Sequence, residues 1–401
     1  MLNGKNILLG ITGGIAAYKT TFLVRLFIKA GANIKIILTH SASSFVSPLT
    51  LATLSKNPVV SDFVKTEAHM TDWNNHVELG LWADLMIIAP ATANTMSKMA
   101  SGSCDNLLLA AYLSAKCPVY IAPAMDLDMY KHPSIKSSME ALVSYGNKII
   151  PAKNGELASG LHGEGRMAEP EEIIAFIKNN IRSGLPLSGN KVLITAGPTY
   201  EAIDPVRFIG NHSSGLMGFE LAKTAASLGA EVYLVTGPTH LSIQHDNIHV
   251  VDVVSAEDMY HSTKMYFETS DIVICAAAVA DYRPKQVADQ KIKKSDDTLT
   301  LELVKNTDIL MSLGRQKTRQ FLVGFALETE NEVENATGKM KRKNLDAIVL
   351  NSMQDKGAGF GVPTNKISFI DTNSTITTFE LKTKAEVAMD IFNEIIKRRH
   401  A

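Results

Sequence analysis

The sequence predicts an α/β protein of two doubly wound domains, the second carrying an antiparallel extension. Three observations lead there. Its short apolar strands are continuous rather than alternating, which places both of their faces under helices. Polar and glycine residues gather just past the strand C-termini, where such sheets bind ligands. The pattern stops at "RSGLPLSGNK" (182–191), a stretch with little to bury, and then starts again. With 401 residues the chain is also too long for one ordinary core, so the domains are read as 1–186 and 187–401.

Lys5–Gly10 forms the first strand, and Gly13-Gly14 turn it into a helix over Ala16–Lys29. "NIKIILT" (33–39), "LMIIAPAT" (85–92) and "PVYIAPAM" (118–125) are the next strands, the last two ending in proline-containing loops. "GELASGLHGEGRM" (155–167) is glycine-rich and weakly apolar, and reads as a mobile flap or long loop rather than a strand. In the second domain "KVLITAG", "EVYLVTG", "DIVICAAA", "FLVGFALE" and "DAIVLNS" are strands, with "LMGFELAKTAASLG" a helix between the first two. The strand of "DIVICAAA" is read as running over 272–279. "KISFIDTNSTITTFEL" reads as two antiparallel strands joined by a turn.

Composition excludes several classes of function. A chain that is 45% hydrophobic and 20% charged is a soluble globular protein, and a net charge of −1 offers no bulk attraction to nucleic acid or acidic membranes. Its three cysteines, Cys104, Cys117 and Cys275, form no CxxC pattern, so a disulfide framework or structural zinc is not expected and a reducing cytoplasm fits. A strand begins almost at the N-terminus, and no apolar run is long enough for a signal peptide or membrane span. The closing "IFNEIIKRRH" reads as an amphipathic helix whose basic end suits a helix C-terminus.

The turn "GITGG" (10–14) is not GxGxxG, but Gly13, Gly14 and the Thr12 hydroxyl can face a phosphate at a helix start. The second strand ends in Thr39, His40 and Ser41 rather than in an acid. Hydroxyls there favour a mononucleotide phosphate over the ribose of NAD. "APATANT" (89–95) supplies Pro90, Ala91, Thr92 and Asn94, which suit a flat ring with a polar edge. His76, before "VELGLWADLM", is by itself a cap or a base, and Asp126 and Met129 of "PAMDLDM" are equally ambiguous.

Together these motifs make the chain closely resemble the bifunctional coenzyme A biosynthesis family, which joins a phosphopantothenoylcysteine decarboxylase to a CTP-dependent phosphopantothenate–cysteine ligase. The match rests on TGGIAAYK (12–19), HVELGLWADL (76–85), APATAN (89–94) and GEGRM (163–167). The resemblance implies a flavodoxin-like first domain, homo-oligomeric, holding FMN in pockets assembled across subunits. FMN would oxidise the cysteine moiety of the substrate to a thioaldehyde, an electron sink that lets CO₂ depart, and then reduce the resulting enethiol. His76 matches the family base. Two positions depart from the family: Asp126 stands where the family has asparagine, and Ser159 where it has the cysteine that donates a proton to the enethiol. Serine is a far weaker acid than a thiol.

The second half resembles the ligase domain, Rossmann-like in fold. "TAGPTYEAIDPVRFIGNHSSGLMG" (195–218), "AAAVADYRP" (276–284), "KIKK" (291–294) and "GFALET" (324–329) carry the match. CTP would activate the 4′-phosphopantothenate carboxylate as an acyl-cytidylate, which the cysteine amine then attacks. On this resemblance Asn211 serves the acyl-cytidylate. Ala277, Asp281, Lys291, Thr307, Asp308, Ile309, Leu310, Phe325, Lys339 and Lys343 hold CTP, the lysines against phosphate charge. Mg²⁺ is expected with CTP, but its ligands are not identified by any acid cluster. Three other readings stay open: a dinucleotide dehydrogenase, opposed by the missing GxGxxG; a nucleotide-binding scaffold; and a ligase whose decarboxylase half is impaired or stops at the enethiol.

Overall fold

The structure is a computed structural model describing residues 1–64, 73–293, 299–328, 330–352 and 361–399. Lys294, Thr329 and His400 of the motifs above lie outside the described residues. The chain divides into two compact units, Met1–Ile181 and Arg182–Ala401.

In the first unit, strands β1 (Asn6–Ile11), β2 (Asn33–Leu38), β3 (Val59–Val60), β4 (Leu85–Ala91), β5 (Val119–Pro123) and β6 (Lys148–Ile149) form one sheet in the order β3-β2-β1-β4-β5-β6. Every pairing is parallel. The central strands are apolar on both faces, because one core packs Leu9, Ile36 and Ile87 beneath Phe27 and Ile173 while another packs Leu8, Ile37 and Ile88 beneath Met96 and Leu108. The first helical stretch starts as a tight 3₁₀ turn at Ile15–Lys19 and becomes α-helix only over Thr20–Lys29.

Residues 155–167 are not one long loop. They belong to an antiparallel hairpin, β7 (Lys153–Glu156) and β8 (His162–Arg166). Two of its glycines serve close packing: a Cβ at Gly163 would meet Leu127 Cδ1 at 2.4 Å, and one at Gly165 would meet the Met125 carbonyl oxygen at 2.3 Å, while Gly160, with φ 81°, has open space around it and serves the turn. At Gly163 and Gly165 glycine marks close contact within strand structure, which the reading of the segment as a loop had not foreseen.

The second unit has strands β9 (Lys191–Ala196), β10 (Tyr200–Ala202), β11 (Phe208–Gly210), β12 (Glu231–Thr236), β13 (Ile248–Asp252), β14 (Ile272–Cys275), β15 (Tyr282–Pro284), β16 (Leu303–Lys305), β17 (Phe321–Glu328), β18 (Ala347–Ser352), β19 (Thr364–Asn365), β20 (Ile367–Asp371), β21 (Ile376–Thr378) and β22 (Lys382–Thr383). Eight of them build one sheet, β13-β12-β9-β14-β17-β18-β20-β21. β20 and β21 are its antiparallel extension. Strand β14 ends at Cys275, earlier than the apolar run suggests. Residues 276–281 cross the sheet end instead, held where Ala278 N–H donates to Gly197 O at 2.9 Å and Ala280 N–H to Thr199 Oγ1 at 2.9 Å.

Candidate active sites

In the second unit the turns after β9 are built for close backbone approach. Gly197 has φ 74°, and a Cβ there would come within 3.0 Å of the Gly237 carbonyl oxygen. Gly215, with φ 81°, precedes the helix Leu216–Ser227 and lies against Gly197. Only glycine adopts such a conformation without strain. The helix start with Ser213 and Ser214 therefore sits beside the Asn211 loop, where Asn211 Nδ2 donates to Ala278 O at 2.9 Å.

Beyond the strand ends lies a cavity of about 450 Å³ whose walls include Ala277, Asp281, Thr307, Asp308, Ile309, Leu310, Phe325, Lys339 and Lys343. The structure thus brings nine of the expected nucleotide residues to one cavity and leaves Lys291 out of it, on an exposed stretch. Lys343 Nζ pairs with Asp308 Oδ2 at 2.7 Å, and Lys339 Nζ donates to Phe325 O at 2.9 Å. Burial, then the charge of Lys343, lowers the pKa of Lys339 below the ordinary lysine value. Burial works against ionisation of Asp308, but the Lys343 ammonium and the Met311 N–H outweigh it and hold its carboxyl below the usual range. Burial also pushes the Cys275 thiol in the same wall up to about 12. The two lysines suit a polyphosphate, and Asp308 already fixes the position of one of them.

A second cavity of about 490 Å³ shares Ala277, Val279, Asp281, Phe325 and Lys339 with the first. Asn211, Ser213 and Ser214 line one side of it, and Asn351, Asn365 and Lys384 another. Sequence reasoning missed those last three. Asn351 follows the apolar run of β18 directly, as a polar residue at the strand's C-terminal end. Asp204 and Arg207 were also missed. The buried Asp204 carboxylate accepts from Val206 N, Arg207 N and, 88 positions away, Ile292 N, while Arg207 donates to Ile292 O. This clamp grips the chain immediately beside Lys291.

In the first unit Thr12 Oγ1 donates to Pro90 O at 2.7 Å and accepts from Thr92 N at 3.1 Å, joining the first turn to the β4 loop. A Cβ on Gly13 would meet Ser41 Cβ at 2.4 Å. Thr39 Oγ1 and His76 Nδ1 are buried and have no hydrogen-bond partner among the described residues. Thr92 caps the helix Ala93–Ser101, and Asn94 is exposed on its first turn. His76 opens the helix His76–Trp82 with its ring edge-on to Phe63 and Trp73, at 6.0 and 5.9 Å.

Asp126 and Ser159 lie elsewhere, in a cavity of about 480 Å³ with Gly14, Tyr18, Lys19, Glu156 and Arg166. His76 is not part of its wall. Lys19, only 5% exposed, pairs with Glu169 at 2.9 Å and donates to Met167 O at 3.2 Å. Arg166 pairs with the same carboxylate at 2.8 Å. The Lys19 ammonium, and secondarily Arg166, hold the Glu169 carboxyl below the usual range. Lys19 and Arg166 were not singled out in the sequence, although both stand inside motifs that were.

Residues 1–182 match the family model described as Flavoprotein, and residues 187–398 the DNA/pantothenate metabolism flavoprotein C-terminal domain. The chain is 44% identical over 397 residues to the coenzyme A biosynthesis bifunctional protein CoaBC of Bacillus subtilis (strain 168), covering 98% of this chain and 97% of that protein. The chain belongs to the bifunctional CoaBC family. The corresponding protein of Haemophilus influenzae is 43% identical over 398 residues, with 99% of this chain and 98% of that one covered. A cysteine/cysteine sulfinic acid decarboxylase of an unknown prokaryotic organism is 54% identical over 360 residues, covering 88% of this chain and all 100% of that protein.

Membership in this family implies FMN in the first domain, and the residues present fit it. Thr39 offers a buried hydroxyl lacking a partner, as a phosphate oxygen requires. Gly13 keeps the first turn free of a side chain where Ser41 approaches. For a metal the finding is different: among the described residues no three His, Cys, Asp or Glu side chains converge to hold one. Nor is any helix among them long and apolar enough to cross a membrane.

Proposed function

We propose that the C-terminal domain joins cysteine to 4′-phosphopantothenate using CTP, and that the N-terminal domain decarboxylates the product with FMN to give 4′-phosphopantetheine. The observation that carries this reading is the pair of adjoining cavities in the second unit. One is walled by Lys339, Lys343 and Asp281, the other by the Asn211 loop, and Lys339 belongs to both. A nucleotide in the first and an acid in the second would meet at Lys339 and Ala277. A carboxylate oxygen attacks the α-phosphorus and pyrophosphate leaves; the cysteine amine then attacks the acyl carbon, releasing CMP and a proton. Lys339 and Lys343 stabilise charge passing to pyrophosphate, and the Asn211 amide can donate to the acyl group without adding negative charge. Nucleotide phosphates would supply most ligands of an accompanying Mg²⁺.

In the first domain Gly13, Gly14, Thr39, Ser41 and the loop from Pro90 to Asn94 would hold FMN. Bound there, FMN supplies the two-electron chemistry at the thiol-bearing carbon. This chain's own part is to orient the substrate and handle protons: His76 Nδ1 is a buried ring nitrogen available to take one. Ser159 stands in the cavity turn where a proton donor is needed, with a poorly acidic hydroxyl.

A second reading is favoured by Asp126, an acceptor-only side chain in the cavity, and by the 54% identical relative named for decarboxylation of cysteine and cysteine sulfinic acid. On that reading the flavin domain acts on unacylated cysteine. One experiment separates the two. Full-length, FMN-loaded protein is given phosphopantothenate, cysteine, CTP and Mg²⁺, and products are resolved by mass. Phosphopantetheine with stoichiometric pyrophosphate and CO₂ supports the first reading. CO₂ from cysteine alone, independent of CTP, supports the second. Absence of pyrophosphate release refutes the ligase assignment.

A further inference from the structure

We infer that Asp126 is a specificity-determining residue that selects, in the cavity beside the β7–β8 hairpin, a substrate carrying a free ammonium group over one whose nitrogen is acylated. The inference rests on the second reading above and deepens it to a single side chain. Asp126 Oδ1 accepts the N–H of Leu127 at 2.6 Å, and neither an ion pair nor a second hydrogen bond engages the carboxylate among the described residues. The cavity's cations are already committed. Lys19 and Arg166 share Glu169, so neither neutralises Asp126. A half-buried carboxylate facing a cavity of about 480 Å³ without a cation of its own is a receptor for one.

The hydrogen-bonding inventory sharpens this. A carboxylate only accepts, so its ligand must donate. A substrate ammonium brings three donors and a full opposite charge, while an acylated nitrogen brings one N–H and no charge. Charge-assisted contacts are about twice as strong as neutral ones. With Lys19 and Arg166 held by Glu169, the wall's remaining charged side chains are the carboxylates Asp126 and Glu156, which favours a ligand that brings a positive charge. In net terms the reaction of such a substrate breaks the bond from Cα to the carboxylate. The electron pair left on carbon takes up a proton, and CO₂ leaves.

Asp126 also caps the short helix Leu127–Lys131, a role asparagine fills equally well. Asp126→Asn therefore removes the charge and keeps the cap. Full-length FMN-loaded protein is titrated calorimetrically with cysteamine and with N-acetylcysteamine, and CO₂ release is followed from cysteine and N-acetylcysteine. The native protein is expected to favour the free amine by roughly tenfold or more in both measurements, about what one charge-assisted contact supplies. Asp126→Asn should bring both ratios close to one, and Asp126→Glu should keep the preference for the amine. Equal affinities in the native protein, or a preference untouched by Asp126→Asn, overturns the inference. If no substrate releases CO₂ but the binding preference and its loss are seen, recognition by Asp126 stands and the decarboxylase reading fails.

Discussion

The two halves share a sheet architecture and a glycine turn after the first strand, yet they assemble their chemistry in opposite ways. In the second half, residues from five separate stretches, at 211, 277–281, 307–310, 325 and 339–343, meet in two adjoining cavities of one chain. In the first half they are more dispersed: Thr12, Gly13, Ser41, Pro90 and Thr92 gather at one turn, His76 packs against Phe63 and Trp73, and Asp126 lines a cavity with Gly14 and with Ser159 of the hairpin turn. A parallel sheet places loops at one edge but does not make them converge. Convergence here follows where the loop after the central strand is tied down, as 276–281 is by Gly197, Thr199 and Asn211.

The contrast breaks most visibly at His76. His76→Gln should reduce CO₂ release by about 10²–10⁴-fold, the range of general acid–base catalysis, and leave CTP-dependent ligation unchanged. If His76 serves a neighbouring subunit's cavity, refolding this variant together with Asp126→Ala should restore CO₂ release above that of either variant alone. Two variants that never complement would place the whole first site in one chain.

The ligase counterpart is Asn211→Asp, which sets a negative charge beside the activated acyl group and Ala278 O. Ligation should fall by roughly 10²-fold, comparable to loss of one transition-state donor. Rapid-quench sampling should find the acyl-cytidylate accumulating, because its attack by the amine is the hindered step. Unchanged ligation with no intermediate would remove Asn211 from the reaction. Decarboxylation of supplied phosphopantothenoylcysteine should be unaffected, since that chemistry belongs to the other half.

A smaller effect is expected at Ser159. Ser159→Ala should spare CO₂ release more than formation of reduced product, and Ser159→Cys should speed the final reduction, because a thiol is the better acid. Single-turnover records of CO₂, flavin reoxidation and product mass test this together. Three unchanged traces in both variants would mean that residue 159 carries no proton.

These sites were legible in the sequence to unequal depth, for physical reasons. The sheets were plain because strands buried on both faces are apolar throughout, as Leu8, Leu9, Ile36 and Ile37 are. The hairpin at 153–166 was misread because glycine has two uses, freedom and close approach, and Gly163 and Gly165 serve the second. Asp281, Lys339 and Lys343 could be named because they recur in recognisable motifs. Asp204 stands in the 195–218 motif too, but its role could not be read there, since its partner Ile292 offers only a backbone N–H, which has no sequence signature. Lys291 shows the limit of matching motifs: the clamp holds its neighbour, while its own side chain stands exposed outside the cavity.

The finest test of the contrast is a proton count on nucleotide binding. Burial and the charge of Lys343 depress the pKa of Lys339, so Lys339 sheds its proton at lower pH than an ordinary lysine. A polyphosphate beside it favours the charged form and raises that pKa again. Over the interval between the two values, CTP binding should take up a proton, and affinity should fall as pH rises through the free-protein pKa. By linkage the slope is at most about tenfold per pH unit for one group. Two other titratable groups in the same wall stay silent: Asp308 is held below the usual carboxylate range, and Cys275 is pushed up to about 12. Calorimetry of CTP binding over a pH series reaching up to the ordinary lysine range, in two buffers of different ionisation enthalpy, reads the uptake directly. Lys339→Met should abolish the buffer dependence and lower affinity together. Heats that do not depend on the buffer in the native protein would mean that Lys339 does not meet the phosphates, and the junction of the two cavities would lose its proposed role.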